Sequence, residues 1–334
     1  MPLTFGRERV LEVYAQAAAR GWVLPAFNSE NLTTTEAILA AAKAHADRMG
    51  CRNLPVIVGI TNTYWHRRQT VNYTHTRDWR VGLRLFLADL KVLTETGSPY
   101  AGLNVLVHLD HIQWDSDAEL LGWDLRQFSS IMYDASTLPM EENIRHTRQF
   151  VDLWASHLVV EGASDEIQEA GETAGGKVTE PSLAERYRRE TGVDLLVANL
   201  GTEHRAGAAT SQYRGDVAQE ISRRVGPCLC LHGASSVPAQ QVGRLFADGV
   251  RRVNLWTALE RDSSPALLEE MARHAAKIAG PQRTRQWLAE GLLGPRVDQA
   301  SAATVSHYTT CYRQELVFHR MKAIVKSYLE LWCG

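Results

Sequence analysis

The sequence predicts an α/β fold of the (β/α)8, or TIM-barrel, class on three observations. Eight short apolar runs each end in a polar residue, which is typical of parallel strands buried on both faces. Stretches with apolar residues at helical spacing separate most of these runs. The length of 334 residues suits either two ordinary domains or one large barrel. Eight alternating units favour a closed barrel over an open sheet, which remains the alternative.

The predicted strands share a short apolar body and a polar end. In chain order they are Trp22–Phe27, Leu54–Ile60, Leu103–Leu109, Phe128–Tyr133, His157–Val160, Val193–Leu200, Cys228–Leu231 and Val253–Trp256. The carboxyl ends of all strands in such a barrel face one mouth. We therefore expect the polar residues that follow the runs to meet there.

Apolar residues at helical spacing also predict helices between the strands. The predicted helices include Glu8–Ala19, Thr33–Ala46, Met140–Leu153, Pro181–Thr191 and Pro238–Ala247. Residues 33–35, three threonines, supply N-cap candidates for the second helix. Beyond about residue 282 the sequence is helical and ends in the amphipathic stretch Tyr312–Trp332. We predict a barrel domain, residues 1–282, and a helical extension, residues 283–334, that packs on the barrel or on a partner subunit.

Charge and composition exclude several classes of partner. The chain has 36 basic and 38 acidic residues, so no overall field would attract nucleic acid or an anionic membrane. It has no apolar run of 18 residues and no signal-peptide pattern at its amino end. Five scattered cysteines fit a reducing compartment. The expected location is the cytoplasm, with neither nucleic acid nor membrane as partner.

The stretch Val105–His111 combines an apolar strand with Asp110 and His111 at its end. Such an end is typical of an active-site wall, although in isolation the same residues could simply cap a helix. His204 and His232 follow two other predicted strands, and three imidazoles at one mouth form the ligand set of an open catalytic zinc site. Asp110 is the candidate proton carrier. It can share a pocket with His111 only if the strand bends or ends there.

Two further segments predict anion binding at the same mouth. Gly233–Ser235 precedes the helix at Pro238, where backbone N–H groups and a hydroxyl can hold a phosphate, although a plain glycine turn is the alternative. Asn254–Thr257 provides the second half of this predicted phosphate site, since phosphate sites in these barrels follow the seventh and eighth strands. The segment after the second strand is basic and includes Arg67, which indicates either an anion contact or a solvated face.

Seven ordered motifs carry a resemblance. They are Pro25–Asn28, His108–His111, Ser129–Ser136 with Glu142–Ile144 and Thr147, Thr191–Asp194, Gly201–His204, His232–Ser235 and Asn254–Thr257. They span about residues 23–260 and together resemble the class II, metal-dependent fructose-bisphosphate aldolases and their tagatose-bisphosphate relatives. The resemblance implies a barrel that forms a homodimer or homotetramer and a zinc-dependent aldehyde-lyase activity.

The resemblance also implies a role for each matching residue. Zinc would be held by His111, His204 and His232, with Asp134 and Glu161 supporting the site. Asp110 would transfer a proton and Asn254 would lie near the enediolate. The phosphate would contact Gly233, Ser235 and Thr257, with a monovalent cation near it. Asn28 and Thr61 would form part of the pocket wall.

The sequence departs from the family's pattern in four places. Ala163 replaces the second glutamate of the motif after the fifth strand, which can approach the metal. The loop that contributes a catalytic glutamate is replaced, which leaves Glu172 as the candidate second acid. Arg205 follows His204 where the family has glycine, and Trp256 replaces an aspartate of the eighth-strand motif. These changes should alter the volume and polarity of the pocket.

The observations together favour a zinc-dependent aldolase that acts through a zinc-stabilised enolate on a phosphate- or phosphonate-bearing substrate other than fructose 1,6-bisphosphate. Arg67, Arg68 and Arg205 would suit a 2-keto acid donor, such as pyruvate or oxaloacetate, joined to a small aldehyde in a specialised pathway. One alternative is an ordinary sugar-bisphosphate aldolase with drifted loops, and another is a catalytically silent barrel that binds a phosphorylated ligand. Metal-assisted hydrolysis would use the same three histidines but lacks support from the order of motifs.

Overall fold

The computed structural model describes residues 2–166, 178–202, 213–234, 237 and 239–334. Within these residues eight parallel strands form a closed barrel in which each strand pairs with the next and the eighth pairs with the first. The strands are β1 (Leu24–Asn28), β2 (Pro55–Thr61), β3 (Asn104–Gln113), β4 (Ser130–Asp134), β5 (Val159–Ala163), β6 (Leu195–Val197), β7 (Leu229–Leu231) and β8 (Val250–Leu255). The predicted fold class is confirmed.

Helices cover the outside of the barrel. In the described residues they are α1 (Arg7–Ala19), α2 (Leu32–Met49), α3 (Gln69–Asn72), α4 (Trp79–Thr94), α5 (Ala118–Leu121), α6 (Met140–Trp154), α7 (Pro181–Thr191), α8 (Gly215–Val225), α9 (Ala239–Val242), α10 (Thr257–Arg273), α11 (Ala275–Ala279), α12 (Pro281–Ala289), α13 (Val305–Tyr308) and α14 (Thr310–Trp332). A short 3-10 helix at Leu125–Gln127 precedes β4. No helix in this part of the chain is long and apolar enough to cross a bilayer.

Each predicted strand overlaps an observed one, but two local predictions were wrong. The cap of α2 is Asn31, whose backbone is extended and whose side chain accepts a hydrogen bond from the Thr34 N–H at 3.1 Å. The three threonines therefore lie inside α2 rather than before it. The helix predicted for residues 238–247 is helical only over Ala239–Val242 in the described residues, since Gly243 follows and glycine disfavours helix.

The last helix, α14, packs on the barrel's outer layer against α2 and α10. Val325 and Leu329 are fully buried, and the Trp332 indole N–H donates to the carbonyl of Val242 at 3.3 Å. Leu331, two residues beyond Leu329, faces the other way and is 47% exposed. The division of the chain into two domains stays a prediction.

We expect Leu329→Ala to lower the free energy of unfolding by about 2–5 kcal/mol, because a fully buried leucine leaves a cavity when it is truncated. The matched control Leu331→Ala should change it by less than about 0.5 kcal/mol, because that side chain is largely exposed. Urea denaturation followed by circular dichroism measures both values. Equal effects of the two substitutions would show that the observed face of α14 does not pack on the barrel.

Candidate metal and proton-transfer site

A bulge in β3 brings two consecutive side chains into one pocket. The register with β4 shifts between Leu109 and Ile112, and His111 has a φ of 49°, in the left-handed region that non-glycine residues rarely adopt. A bulge re-aims side chains that would otherwise alternate between the two faces of a strand. Asp110 and His111 are 0% and 2% exposed; Asp110 lines the cavity at the barrel mouth, and His111 contacts His232, which also lines it. The strand thus bends where the sequence required it to bend.

Two imidazoles meet at this mouth in an orientation suited to a metal. Nε2 of His111 lies 3.1 Å from Nδ1 of His232. The opposite nitrogen of each ring is held by a carboxylate, since His111 Nδ1 lies 2.9 Å from Asp134 and His232 Nε2 lies 2.8 Å from Glu161. Carboxylates in this position fix the tautomer and rotation of histidine ligands. The two facing nitrogens and an Asp110 oxygen lie within 4.8 Å of one another.

This donor set fits zinc, which takes neutral imidazole nitrogen and carboxylate oxygen as ligands. Burial and the neighbouring His111 lower the pKa of His232 to about 3, which keeps the ring neutral. The third predicted ligand, His204, lies outside the described residues, as do Glu172, Arg205 and Ser235. Their predicted roles therefore stay predictions.

The Asp110 carboxylate accepts hydrogen bonds from three sides. Asn28 Nδ2 and Arg67 Nη2 donate to Oδ2 at 2.6 and 2.7 Å, and Asn254 Nδ2 donates to Oδ1 at 3.0 Å. Burial raises the pKa of Asp110, but the opposing effects of His111, His108 and Arg67 outweigh it and leave the pKa well below its usual value. The side chain is therefore an ionised, water-excluded carboxylate next to the paired imidazoles.

Sequence reasoning missed Arg252, a fully buried arginine inside the barrel. Its Nε donates to Asn254 Oδ1 at 3.1 Å, and its guanidinium forms an ion pair with Glu161. His108, the first residue of the motif that contains Asp110 and His111, lies 3.2 Å from the same guanidinium. The signal was present in the sequence: Arg252 and Asn254 are two apart on a strand, so they share the inward face.

The segment after β2 carries Arg67 into the pocket. Its guanidinium lies 5.0 Å from the centre of the Trp256 ring, and the Trp256 indole N–H donates to Glu30 at 2.5 Å. Gln69 donates to the same Glu30 oxygen at 2.7 Å. Thr61 donates to the backbone carbonyl of Arg67 and so holds this segment in place.

The pocket itself is a small cavity between Asp110 and the start of α10. It is lined by Asn28, Arg67, Asp110, His232, Gly233, Ala234, Asn254, Leu255, Trp256 and Thr257. Asn28, Gly233 and Thr257 line this pocket, and their predicted contacts with substrate stay predictions. Thr61 lies behind the pocket, where it supports Arg67. The structure brings metal, proton-transfer and phosphate candidates to one cavity.

Comparison with known proteins gives consistent matches. A model of the class-II fructose-bisphosphate aldolase family matches residues 8–315. The chain is 27% identical over 282 residues to the probable fructose-bisphosphate aldolase of Bacillus subtilis, covering 81% of this chain and 90% of the relative. It is 28% identical over 295 residues to the fructose-bisphosphate aldolase of Treponema pallidum, covering 80% and 78%.

Two solved structures share the fold. The YdjI aldolase of Escherichia coli K12 aligns with a TM-score of 0.65 at 18% identity and covers 96% of this chain and 95% of its own. The fructose-bisphosphate aldolase of Campylobacter jejuni aligns with a TM-score of 0.71 at 16% identity, covering 99% and 96%. At these identities the structural likeness supports the barrel architecture alone.

The contact between Asp134 and His111 leads us to a prediction about zinc affinity. We expect Asp134→Asn to weaken zinc binding by about 10- to 100-fold. The neutral amide of asparagine would hold the His111 imidazole in place less well than the negatively charged carboxylate does. Competition with a fluorescent zinc chelator measures the change. The control Asp152→Asn removes an exposed carboxylate on α6 and should leave zinc affinity unchanged. Unaltered affinity in Asp134→Asn would argue against His111 as a ligand.

Proposed function

The chain belongs to the class II fructose-bisphosphate aldolase family, and from this premise we propose that it makes or breaks a C–C bond beside a carbonyl group of a small phosphorylated substrate. Zinc dependence is typical of the family, and aldehyde-lyase chemistry follows from membership. The roles of the individual residues, the identity of the substrate and assembly as a homodimer or homotetramer are also part of the proposal. A phosphorylated or phosphonate substrate and an aldehyde are its small-molecule partners.

One observation carries the proposal: an ionised, fully buried Asp110 lies beside two imidazoles, and Nε2 of His111 faces Nδ1 of His232. His111 and His232, with His204 as the predicted third ligand, would hold zinc, which when bound supplies Lewis acidity to a substrate carbonyl. Asp110 would accept the proton from the carbon next to that carbonyl. Asn254 and Asn28 each anchor one carboxylate oxygen, so the base is oriented before the substrate arrives.

The proposed phosphate site is the opposite side of the same cavity. Gly233, with a φ of 67°, and Thr257, the first residue of α10, both line it. The first turn of the 17-residue α10 brings backbone N–H groups and the positive end of the helix dipole to this side. Ser235 would complete this site, and a monovalent cation beside it remains part of the proposal.

Arg67 and Trp256 support a donor other than a simple sugar phosphate. The Arg67 side chain is about one-tenth exposed and lies against the indole that replaces an expected carboxylate. A guanidinium presents a planar fork that matches a carboxylate. These contacts support a 2-keto acid donor, such as pyruvate or oxaloacetate. Gly233 and Thr257 are equally compatible with an ordinary sugar-bisphosphate aldolase, whereas the oriented Asp110 does not favour a silent binding barrel.

The proposal predicts zinc-dependent proton exchange on the donor. In deuterated buffer, NMR should show exchange at the carbon beside the carbonyl of pyruvate, oxaloacetate or a triose phosphate, with loss on chelation and recovery on adding zinc. Asp110→Asn should slow this exchange by at least about 100-fold, because a general base contributes roughly 10²–10⁴. The control Asp115→Asn, an exposed neighbour, should retain it.

Each other outcome has a distinct meaning. Exchange that survives complete zinc removal would refute the metal mechanism, and full exchange by Asp110→Asn would refute the assignment of the base. Rapid cleavage of fructose 1,6-bisphosphate would favour the ordinary sugar-bisphosphate aldolase. A purified protein that neither binds zinc nor exchanges any donor would be the silent barrel.

Arg67 yields a separate prediction about specificity. We expect Arg67→Met to raise the KM for a carboxylate-bearing donor by about 10- to 100-fold, because one charge-assisted pair of hydrogen bonds is lost. Arg67→Lys should restore only part of this loss, since a lysine lacks the planar fork. The matched control is Arg68→Met, because the neighbouring Arg68 side chain is exposed. Steady-state kinetics measure KM for two donors, one with a carboxylate and one without. An equal rise of both KM values in Arg67→Met would contradict the assignment of Arg67.

A further inference from the structure

A second, larger cavity lies at the other end of the barrel. It has a volume of about 530 Å³, within the range of small-molecule sites. Pro55 and Asn104, the first residues of β2 and β3, line it, so it opens at the amino ends of the strands. The six residue-to-residue steps from Asn104 to Asp110 along β3 span about 20 Å. This cavity is therefore separate from the catalytic pocket.

The cavity collects positive charge. Its walls include Arg9, Arg20 and Arg52, and none of its lining residues in the described part of the chain is acidic. Among the described residues, the side chains of Arg9 and Arg52 form no ion pair or hydrogen bond. All three side chains are exposed, so they stand at the rim of one concave surface, where like charges repel one another. A bound anion would relieve this repulsion.

Other contacts prepare the cavity for an anion. The Arg20 guanidinium lies 4.7 Å from the centre of the Trp22 ring, and its Nη1 lies 3.5 Å from Cys51 Sγ, so this arginine is held in place. Asn104 Oδ1 accepts a hydrogen bond from Thr4 at 2.5 Å. That bond occupies the amide oxygen and leaves the Nδ2 donor of Asn104 for another partner.

We propose that this cavity binds a small organic phosphate carrying at least two negative charges. Three guanidinium groups suit phosphate oxygens, which accept several charge-assisted hydrogen bonds at once. The apolar wall formed by Val13, Leu103 and Trp22 would contact the organic part. A nucleic acid does not fit, because the net charge is -2 and the arginines surround a single cavity rather than an extended track.

Calorimetric titration with inorganic pyrophosphate, in low salt, tests the proposal on the full chain. The wild type should show a site that the triple variant Arg9→Gln, Arg20→Gln, Arg52→Gln loses or binds at least tenfold more weakly. A control triple at Arg283, Arg285 and Arg296 makes the same charge change at exposed positions elsewhere and should keep the site. The site at the catalytic mouth should remain in both triples.

Equal pyrophosphate binding by the two triples would overturn the proposal, as would a wild type with no site beyond the one at the catalytic mouth. A thermal melt checks that the variants fold. If the first triple unfolds, the single variant Arg52→Gln should still weaken binding about threefold or more. A change in oligomeric state on size exclusion with no change in pyrophosphate binding would identify the cavity as a subunit contact and refute the phosphate site.

Discussion

The buried charge on Asp110 is the constraint around which the barrel mouth is arranged. An ionised carboxylate without partners in a water-free interior costs several kcal/mol, so donors must surround it. Here they come from three separate places: Asn28 at the end of β1, Asn254 on β8 and Arg67 after β2. One carboxylate thereby ties together chain segments that are far apart in sequence. The bulge in β3 makes this possible, because it turns Asp110 and His111 toward one pocket.

A second buried ion, Arg252, lies deeper in the barrel and also needs partners. Arg252 is fully buried and forms an ion pair with Glu161, which in turn holds His232. Arg252 also donates to Asn254 Oδ1, which leaves the amide nitrogen of Asn254 to donate to Asp110. The orientation of a metal-ligand candidate and that of the base candidate are therefore fixed by one guanidinium. Apolar residues of similar volume would pack as well but would leave both orientations unspecified.

The fold and part of the site could be predicted because they depend on local patterns. Apolar runs that end in polar residues mark parallel strands, and the polar residues then meet at one mouth. The bulge at His111 could be stated only as a condition, since it depends on pairing with β4. Arg252 was missed because charged residues are rarely fully buried, and only its partner Glu161, 91 positions away, makes it stable there. The cap of α2 was missed for a simpler reason, because Asn31 is as good a cap as the threonines that follow.

The proposed function assigns donor specificity to Arg67 and Trp256, which lie in loops beside Asp110. Replacing a carboxylate by an indole removes a negative charge that would otherwise compete for the guanidinium of Arg67. The indole instead supports that guanidinium from one face, and its N–H is bound by Glu30. In the structure Arg67 pairs with Asp110, an ion that is also held by two asparagines. Under the proposed function, a substrate carboxylate would draw Arg67 away while both asparagines still donate to Asp110, and recognition of an anionic donor would thereby be linked to exposure of the base.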